Sequence, residues 1–86
     1  MGLYKLIFKA SVEKEIRKIS APEITNILHK VESLSANPRP YGIQVLKGDN
    51  RYYRIRQGDY RIIYEINDPE LIVRIIKIGH RRDVYE

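Results

Sequence analysis

Arginine is concentrated in the last 36 residues of this sequence, where its side chains could bind phosphate. Residues 51–86 hold seven of the nine arginines and five of the seven tyrosines, whereas lysine is concentrated earlier. The planar guanidinium fork matches two phosphate oxygens, which a lysine point charge does not. With 16 basic against 11 acidic residues, the net charge of +5 favours anionic partners such as nucleic acid. The pattern indicates a phosphodiester-binding surface, with a merely solvated basic surface as the alternative.

A Gly-Asp pair at residues 58–59 is expected to place three of these arginines together. A two-residue loop that begins with glycine, between two alternating runs, is typical of a β-hairpin with a type II′ turn. Opposed residues share a sheet face, so Arg56 is predicted directly across from Arg61, with Arg54 beside them. Like charges opposed in this way destabilise a sheet by up to about 1 kcal/mol, which favours a functional reason for the cluster.

Two further arginines, Arg81 and Arg82, follow the last predicted strand and are expected to reach the same face. Five guanidinium groups near one spot would bind a phosphodiester. They would also catalyse its cleavage if they stabilised the extra negative charge of the transition state. The same face is predicted to carry Tyr52, Arg74, Glu65, Ile63, Ile72 and Ile76.

The elements that must position these residues form one domain over residues 1–86, since the chain is too short for two. Alternation predicts an opening strand over residues 3–9. One helix is expected to begin with Ser11 as its cap, and a second at Ser20, with Glu23 at capping-box spacing. Strands are predicted over residues 43–46, 52–57, 60–67 and 71–78. This order predicts an α+β fold, β-α-α-β-β-β(β), with two N-terminal helices packed on one face of a mainly antiparallel twisted sheet.

The opposite face of the predicted sheet is apolar and should lie under the two helices. Its predicted members are Tyr53, Ile55, Tyr60, Ile62, Tyr64, Ile66, Leu71, Val73 and Ile75. Burial of such side chains contributes roughly 1.5 to 3 kcal/mol each. A connection over residues 67–70 predicts the pairs Ile66 with Leu71, Tyr64 with Val73, Ile62 with Ile75 and Arg61 with Ile76.

Three segments carry a resemblance to a known family. They are Leu46-Lys47-Gly48, the run from Tyr53 to Tyr64 with its Gly58-Asp59-Tyr60-Arg61 turn, and the tail Gly79-His80-Arg81-Arg82-Asp83-Val84-Tyr85. Together with the two leading helices they resemble the RelE branch of the RelE/ParE toxins over nearly the whole chain. The resemblance implies the toxin of a type II toxin–antitoxin system that cleaves messenger RNA in the ribosomal A site and so inhibits translation.

The resemblance also implies roles for individual residues. The substrate's 2′-hydroxyl would attack the adjacent phosphate, with Arg61 and Arg81 bracing the phosphorane and Arg54 and Arg56 orienting the backbone. Tyr85 would stack on a base, an interaction worth about 1 to 3 kcal/mol, or would cover the apolar part of the face. Further substrate-binding residues are expected at Lys47, Tyr52, Arg74 and Arg82.

The sequence departs from the family at the proton-transfer step. Well-studied members have lysine at the positions of Arg54 and Arg56, and the very high pKa of arginine makes it a poor general base. His80 is the predicted general base, because histidine titrates near neutrality. His29 is expected on the polar side of the second helix in a structural role. No metal-ligand cluster is apparent, so metal-independent cleavage without a cofactor is expected.

Two other functions are consistent with this sequence. ParE-type toxins of the same fold poison DNA gyrase by protein contact, although they generally lack the assembled basic site. A non-catalytic RNA-binding module is the third possibility. Cleavage of ribosome-bound message separates the first reading from both alternatives.

Partners and location follow from charge, composition and the resemblance. The expected partners are the ribosome, messenger RNA and an acidic antitoxin that docks as a helix or as an extended segment. The free toxin is expected to be a monomer and the complex a dimer of heterodimers. The chain has no cysteine, and Lys5 and Lys9 interrupt its apolar N-terminal residues, so a cytoplasmic protein without a signal peptide or membrane span is predicted.

Overall fold

The computed structural model describes residues 3–46 and 51–82. Its elements are β1 (Lys5–Phe8), α1 (Ala10–Arg17), α2 (Ala21–Ala36), β2 (Gln44–Leu46), β3 (Tyr52–Gln57), β4 (Tyr60–Asn67) and β5 (Ile72–His80). The five strands form one sheet in the order β1-β5-β4-β3-β2. β1 pairs in parallel with β5, and the other neighbours are antiparallel. The predicted α+β fold with two helices on a mainly antiparallel sheet is confirmed.

The core lies between the two helices and one face of the sheet. α1 contributes Val12, and α2 contributes Ile27, Val31 and Leu34. The sheet contributes Tyr53, Ile55, Ile62, Tyr64, Val73, Ile75 and Ile78, with Tyr60 and Ile66 packed partly buried at its margin. Every predicted member of the apolar face is therefore confirmed except Leu71, whose side chain is exposed. In the described part of the chain, no helix is long and apolar enough to cross a bilayer.

The helix starts follow the prediction at α2 but not at α1. Ser11 is not the cap of α1, because Lys9 holds that position with an extended backbone (φ −62°, ψ 146°). The Lys9 N–H donates to the carbonyl of Ile75 at 3.0 Å, so sheet pairing fixes the residue from which the helix begins. α2 begins after Ser20 as predicted, but the Ser20 hydroxyl donates to Glu23 Oε1 at 3.1 Å and makes no bond to the helix backbone.

The hairpin between β3 and β4 has the predicted register. Arg56 pairs with Arg61, and the other predicted pairs of this ladder also occur. Gly58 has a φ of +60°. Among the described residues other than glycine, Leu71 alone has a positive φ, so the φ of Asp59 is negative. A positive φ at the first loop position alone is the signature of the type II′ turn. The turn therefore places the two arginines on one sheet face.

The predicted register between β4 and β5 is wrong by two residues. Ile66 pairs with Val73 rather than with Leu71, because the turn includes Leu71, whose φ is +55°. The backbone carbonyl of Asp68 accepts a hydrogen bond from the Leu71 N–H at 3.2 Å, which closes this turn. A shift of two residues leaves each side chain on the face where it was predicted.

A β-bulge at Ile76 then moves the end of β5 by one further residue. Tyr64 pairs with Ile75 but Ile63 pairs with Lys77, so Ile76 has no opposed residue. Arg61 consequently lies across from Gly79 and not from Ile76 as predicted. An odd shift exchanges the two faces, and Ile78 enters the core with 1% exposure.

Glu15 of α1 stabilises the shifted end of β5. Its carboxylate accepts hydrogen bonds from the Ile78 backbone N–H at 2.9 Å and from Lys77 Nζ at 3.1 Å. β1 pairs with β5 only up to Ile75, so this carboxylate satisfies backbone that no strand covers. The helix and the bulge are thus held together.

A second polar cluster anchors the segment that leads into β2. Arg39 makes a salt bridge with Asp68 at 2.8 Å, and the Tyr4 hydroxyl donates to Asp68 at 2.5 Å. The buried Tyr64 hydroxyl donates to the Pro38 carbonyl at 2.8 Å. These bonds hold the backbone just before the edge strand β2, which borders the arginine face, the sheet face that carries Arg54, Arg56 and Arg61.

Candidate active site

A small cleft lies on the sheet face away from the helices, where the arginines of the hairpin meet the edge strand. Its volume is about 130 Å³, and it is lined by Gly42, Gln44, Arg54, Arg56 and Arg61. Three of these five residues are arginines predicted to form the site. The sheet register is the cause, since Arg54, Arg56 and Arg61 alternate outward on adjacent antiparallel strands.

Arg61 lies at the centre of this charge cluster. Burial lowers the pKa of its guanidinium below the usual value. The positive charges of Arg56, Arg54 and Arg81, in that order, lower this pKa further. Arginine nevertheless stays protonated at neutral pH, so the folded chain keeps an energetically unfavourable concentration of positive charge.

Arg81 joins the cluster from the end of β5. Its backbone N–H donates to the Asp59 carbonyl at 2.7 Å, which ties the residue to the hairpin turn. Its charge is close enough to lower the pKa of Arg61. The structure therefore brings together four of the predicted arginines: Arg54, Arg56, Arg61 and Arg81.

Gln44 and Gly42 line the cleft but were not predicted as site residues. Gln44 pairs across the sheet with Arg54, and its Oε1 accepts hydrogen bonds from Arg54 Nε at 3.1 Å and from Nη2 at 2.5 Å. The sequence predicts a strand here. Because Ile43 packs against the core, strand alternation places Gln44 on the opposite face of the sheet. The missing information was the register between β2 and β3.

His80 lies on the other face of the sheet from the arginine cluster. It pairs with Tyr60, whose ring packs against the core, and the two rings meet edge to face with centroids 5.5 Å apart. Its Nδ1 accepts hydrogen bonds from Arg82 N at 3.2 Å and from Arg82 Nε at 3.3 Å. His80 and Arg82 therefore lie together beside Tyr60, because strand alternation after the bulge turns Gly79 and not His80 toward Arg61.

The remaining predicted site residues have separate positions. Arg74 pairs across the sheet with Glu65 and makes a salt bridge from its Nε at 3.2 Å. Tyr52 is half-buried at the start of β3, across from Leu46. Lys47 and Tyr85 lie outside the described residues. Nowhere in residues 3–46 and 51–82 do three histidine or acidic side chains group so as to hold a metal ion.

The cleft is suited to stabilising negative charge. Positive charges that the sheet register already groups need little reorganisation when charge develops on a bound phosphate. Apart from Gly42, the described residues that line the cleft are arginine and glutamine, and none of them is a carboxylate or an imidazole. The described part of this cleft is therefore suited to holding an anion.

Sequence comparisons place this chain among toxins. Residues 6–85 match the family model described as the ParE toxin of the type II toxin–antitoxin system, parDE. The chain is 31% identical to toxin RelE3 of Methanocaldococcus jannaschii over 86 residues, which cover 95% of this chain and 96% of that one.

Solved structures share the fold over nearly the whole chain. A RelE–RelB complex from Pyrococcus horikoshii matches with a TM-score of 0.82 and 25% identity, over 95% of this chain and 99% of that one. The isolated RelE toxin of E. coli matches with a TM-score of 0.77 and 26% identity, over 90% of this chain and 83% of that one.

Proposed function

This chain belongs to the RelE branch of the RelE/ParE superfamily of type II toxins, and from that premise we propose that it is a ribosome-dependent endoribonuclease. Its substrate is messenger RNA in the ribosomal A site, and its cleavage stops translation. The observation that carries this proposal is the pairing of Arg56 with Arg61 across the hairpin, with Arg54 and Arg81 beside them. Four guanidinium groups around a small cleft match a phosphodiester and the extra charge of its transition state.

The proposed reaction needs no external reactant. The 2′-oxygen forms a bond to phosphorus, the bond from phosphorus to the 5′-oxygen breaks, and a 2′,3′-cyclic phosphate and a 5′-hydroxyl result. The proton lost by the 2′-hydroxyl is balanced by one gained at the 5′-oxygen. Arg61 and Arg81 stabilise the phosphorane, Arg54 and Arg56 hold the backbone, and Tyr85 stacks on a base.

Charge stabilisation, and not proton transfer by His80, is the proposed contribution of the described site. The imidazole lies beside Tyr60 on the opposite sheet face. We assign His80 to packing at the end of β5, and the 2′-hydroxyl proton to solvent water. Metal ions and cofactors have no role in this proposal.

We also propose a cognate antitoxin of RelB type. Structures similar to this chain include RelE–RelB complexes from Pyrococcus horikoshii and E. coli. A net charge of +5 and an open arginine cleft would attract nucleic acid indiscriminately, so the docking segment should be acidic. The free toxin would be a monomer in the cytoplasm, and its complex a dimer of heterodimers.

The test is a reconstituted translation reaction with a defined message. The 3′ ends of the RNA are mapped after addition of wild type, of Arg61→Met, and of Arg17→Met, which removes an exposed arginine on α1. We expect cleavage only with ribosomes, loss of about a hundredfold or more for Arg61→Met, and no change for Arg17→Met. Cleavage that is equally fast in Arg61→Met would refute the proposed site.

A gyrase poison is the alternative that this family allows, since the matched family model is named for ParE. The same preparations are therefore added to a gyrase supercoiling reaction. Inhibition of supercoiling without cleavage of ribosome-bound message would replace the nuclease proposal. Binding of RNA without either effect would identify a non-catalytic module.

A further inference from the structure

We propose that Gln44 is a positioning residue that sets the orientation of the Arg54 guanidinium for the RNA backbone. The inference rests on the proposed function and adds to it a residue from the edge strand. Gln44 acts through Arg54, so it is a positioning residue and not a catalytic one.

The hydrogen bonds define the orientation of both side chains. Two N–H groups of Arg54, on Nε and Nη2, converge on Gln44 Oε1 at 3.1 and 2.5 Å. Arginine has donors only, so the carbonyl end of the Gln44 amide must face it and the choice between amide oxygen and nitrogen is settled. One acceptor shared by two N–H groups on one edge of the fork restricts rotation of the guanidinium plane.

The backbone of Gln44 is itself held in place. Ile43 packs against the core, and its N–H donates to the Pro40 carbonyl at 3.3 Å. Just upstream, the buried Tyr64 hydroxyl binds the Pro38 carbonyl. A fixed backbone lets a side-chain hydrogen bond fix Arg54 before substrate arrives, which lowers the ordering cost of binding.

Glutamine is chemically suited to this position. Arg39 and Arg74, which lie outside the cleft, are held by the carboxylates of Asp68 and Glu65. At residue 44 an amide supplies an acceptor to Arg54 without adding a negative charge. A carboxylate at residue 44 would also orient Arg54, but its negative charge would repel the phosphate.

A double-mutant cycle tests this inference. The single-turnover rate of cleavage and the affinity for an uncleavable 2′-deoxy oligonucleotide are measured for wild type, Gln44→Met, Arg54→Met and the double variant. Methionine keeps the length of the side chain but lacks the amide acceptor. Val45→Thr is the control, because this exposed neighbour pairs with Tyr53 and so lies on the other face. Melting temperatures show whether each variant is folded.

We expect Gln44→Met to lower both quantities about tenfold when Arg54 is present, and less than twofold when it is absent. Gln44→Glu should keep the cleavage rate of bound substrate closer to wild type but weaken oligonucleotide binding at low salt, with the difference shrinking at high salt. Equal losses from Gln44→Met in both backgrounds, or no loss in either, would overturn the inference. If wild type fails to cleave RNA, the proposed function fails, while the oligonucleotide affinities still decide the role of Gln44.

Discussion

Replacement of Arg61 by methionine is expected to slow cleavage by about a hundredfold or more and at the same time to stabilise the fold. The guanidinium is partly buried, and three like charges lower its pKa, so the charged form is disfavoured in the folded chain. A base whose folded pKa is depressed destabilises the fold at every pH below that pKa. The penalty is therefore present throughout the neutral range, and methionine removes it while keeping an unbranched side chain.

The magnitude follows from the cross-strand pair with Arg56. Directly opposed like charges in a sheet cost about 0.2 to 1 kcal/mol. The hydrogen bond from Arg61 Nη1 to the Tyr60 carbonyl is 3.4 Å long and offsets little of this cost. In a domain of this size about 0.5 kcal/mol corresponds to a rise of about 2 to 4 °C in Tm.

Thermal unfolding at low and high salt is the assay, with Arg74→Met as the matched comparison. Arg74 lies on the same face, but its cross-strand partner is Glu65, so the same substitution there removes an attraction and should lower Tm slightly. Both differences should shrink in 1 M salt, where charges are screened over about 3 Å. A fall in Tm for Arg61→Met at low salt would show that repulsion in the cluster is not the dominant effect.

Three further substitutions test other parts of the structure. His80→Gln should leave the dependence of the cleavage rate on pH unchanged, because the imidazole lies away from the cleft; loss of an inflection near neutral pH would contradict this. Asp68→Asn should lower Tm at neutral pH. The hydrogen bonds from Arg39 and then Tyr4 lower the pKa of Asp68 below its ordinary value of 3.8. Their contribution to stability is therefore fully present above pH 3.8 and is lost as the pH falls through the lowered pKa. The difference in Tm between wild type and Asp68→Asn should vanish in an acid titration over that range. Leu71→Gly should raise Tm by about 2 to 8 °C, because the left-handed backbone costs a non-glycine residue about 1 to 2 kcal/mol and the entropy of glycine offsets about half of this cost. An unchanged Tm would argue against strain at this turn.

The arginine face could be predicted because one turn determines it. Glycine at residue 58, followed by aspartate, specifies a two-residue loop, and the loop fixes every pair of the β3–β4 ladder. The β4–β5 connection contains no such signal. Its turn depends on a leucine in the left-handed region, which sequence preferences disfavour, and on the Asn67 side chain accepting from the Glu70 N–H at 3.1 Å. Both features depend on the folded surroundings.

The arginines of the hairpin stay on one sheet face despite this error, whereas His80 lies on the other face, and the parity of each shift explains the difference. The turn shifts the β4–β5 register by two residues. This shift changes the cross-strand partners but leaves each side chain on its predicted face, so Arg74 still points away from the helices. The bulge at Ile76 moves it by one more, which exchanges faces from that point to the end of β5. The bulge is stabilised by Glu15 of α1, which lies 63 positions before Ile78 in the sequence, and no local sequence pattern reveals that contact.

The same bulge that places His80 on the other face also places a residue without a side chain across from Arg61. Without it, continuation of the Tyr64–Ile75 pairing would place Ile78 across from Arg61, and an isoleucine would occupy the face beside the guanidinium. With it, Gly79 takes that position and contributes no side chain, while Ile78 fills the core. Arg81 then meets the hairpin turn at the Asp59 carbonyl. The bulge thus decides which residue lies across from Arg61, and hydrophobic periodicity within one strand does not identify that residue.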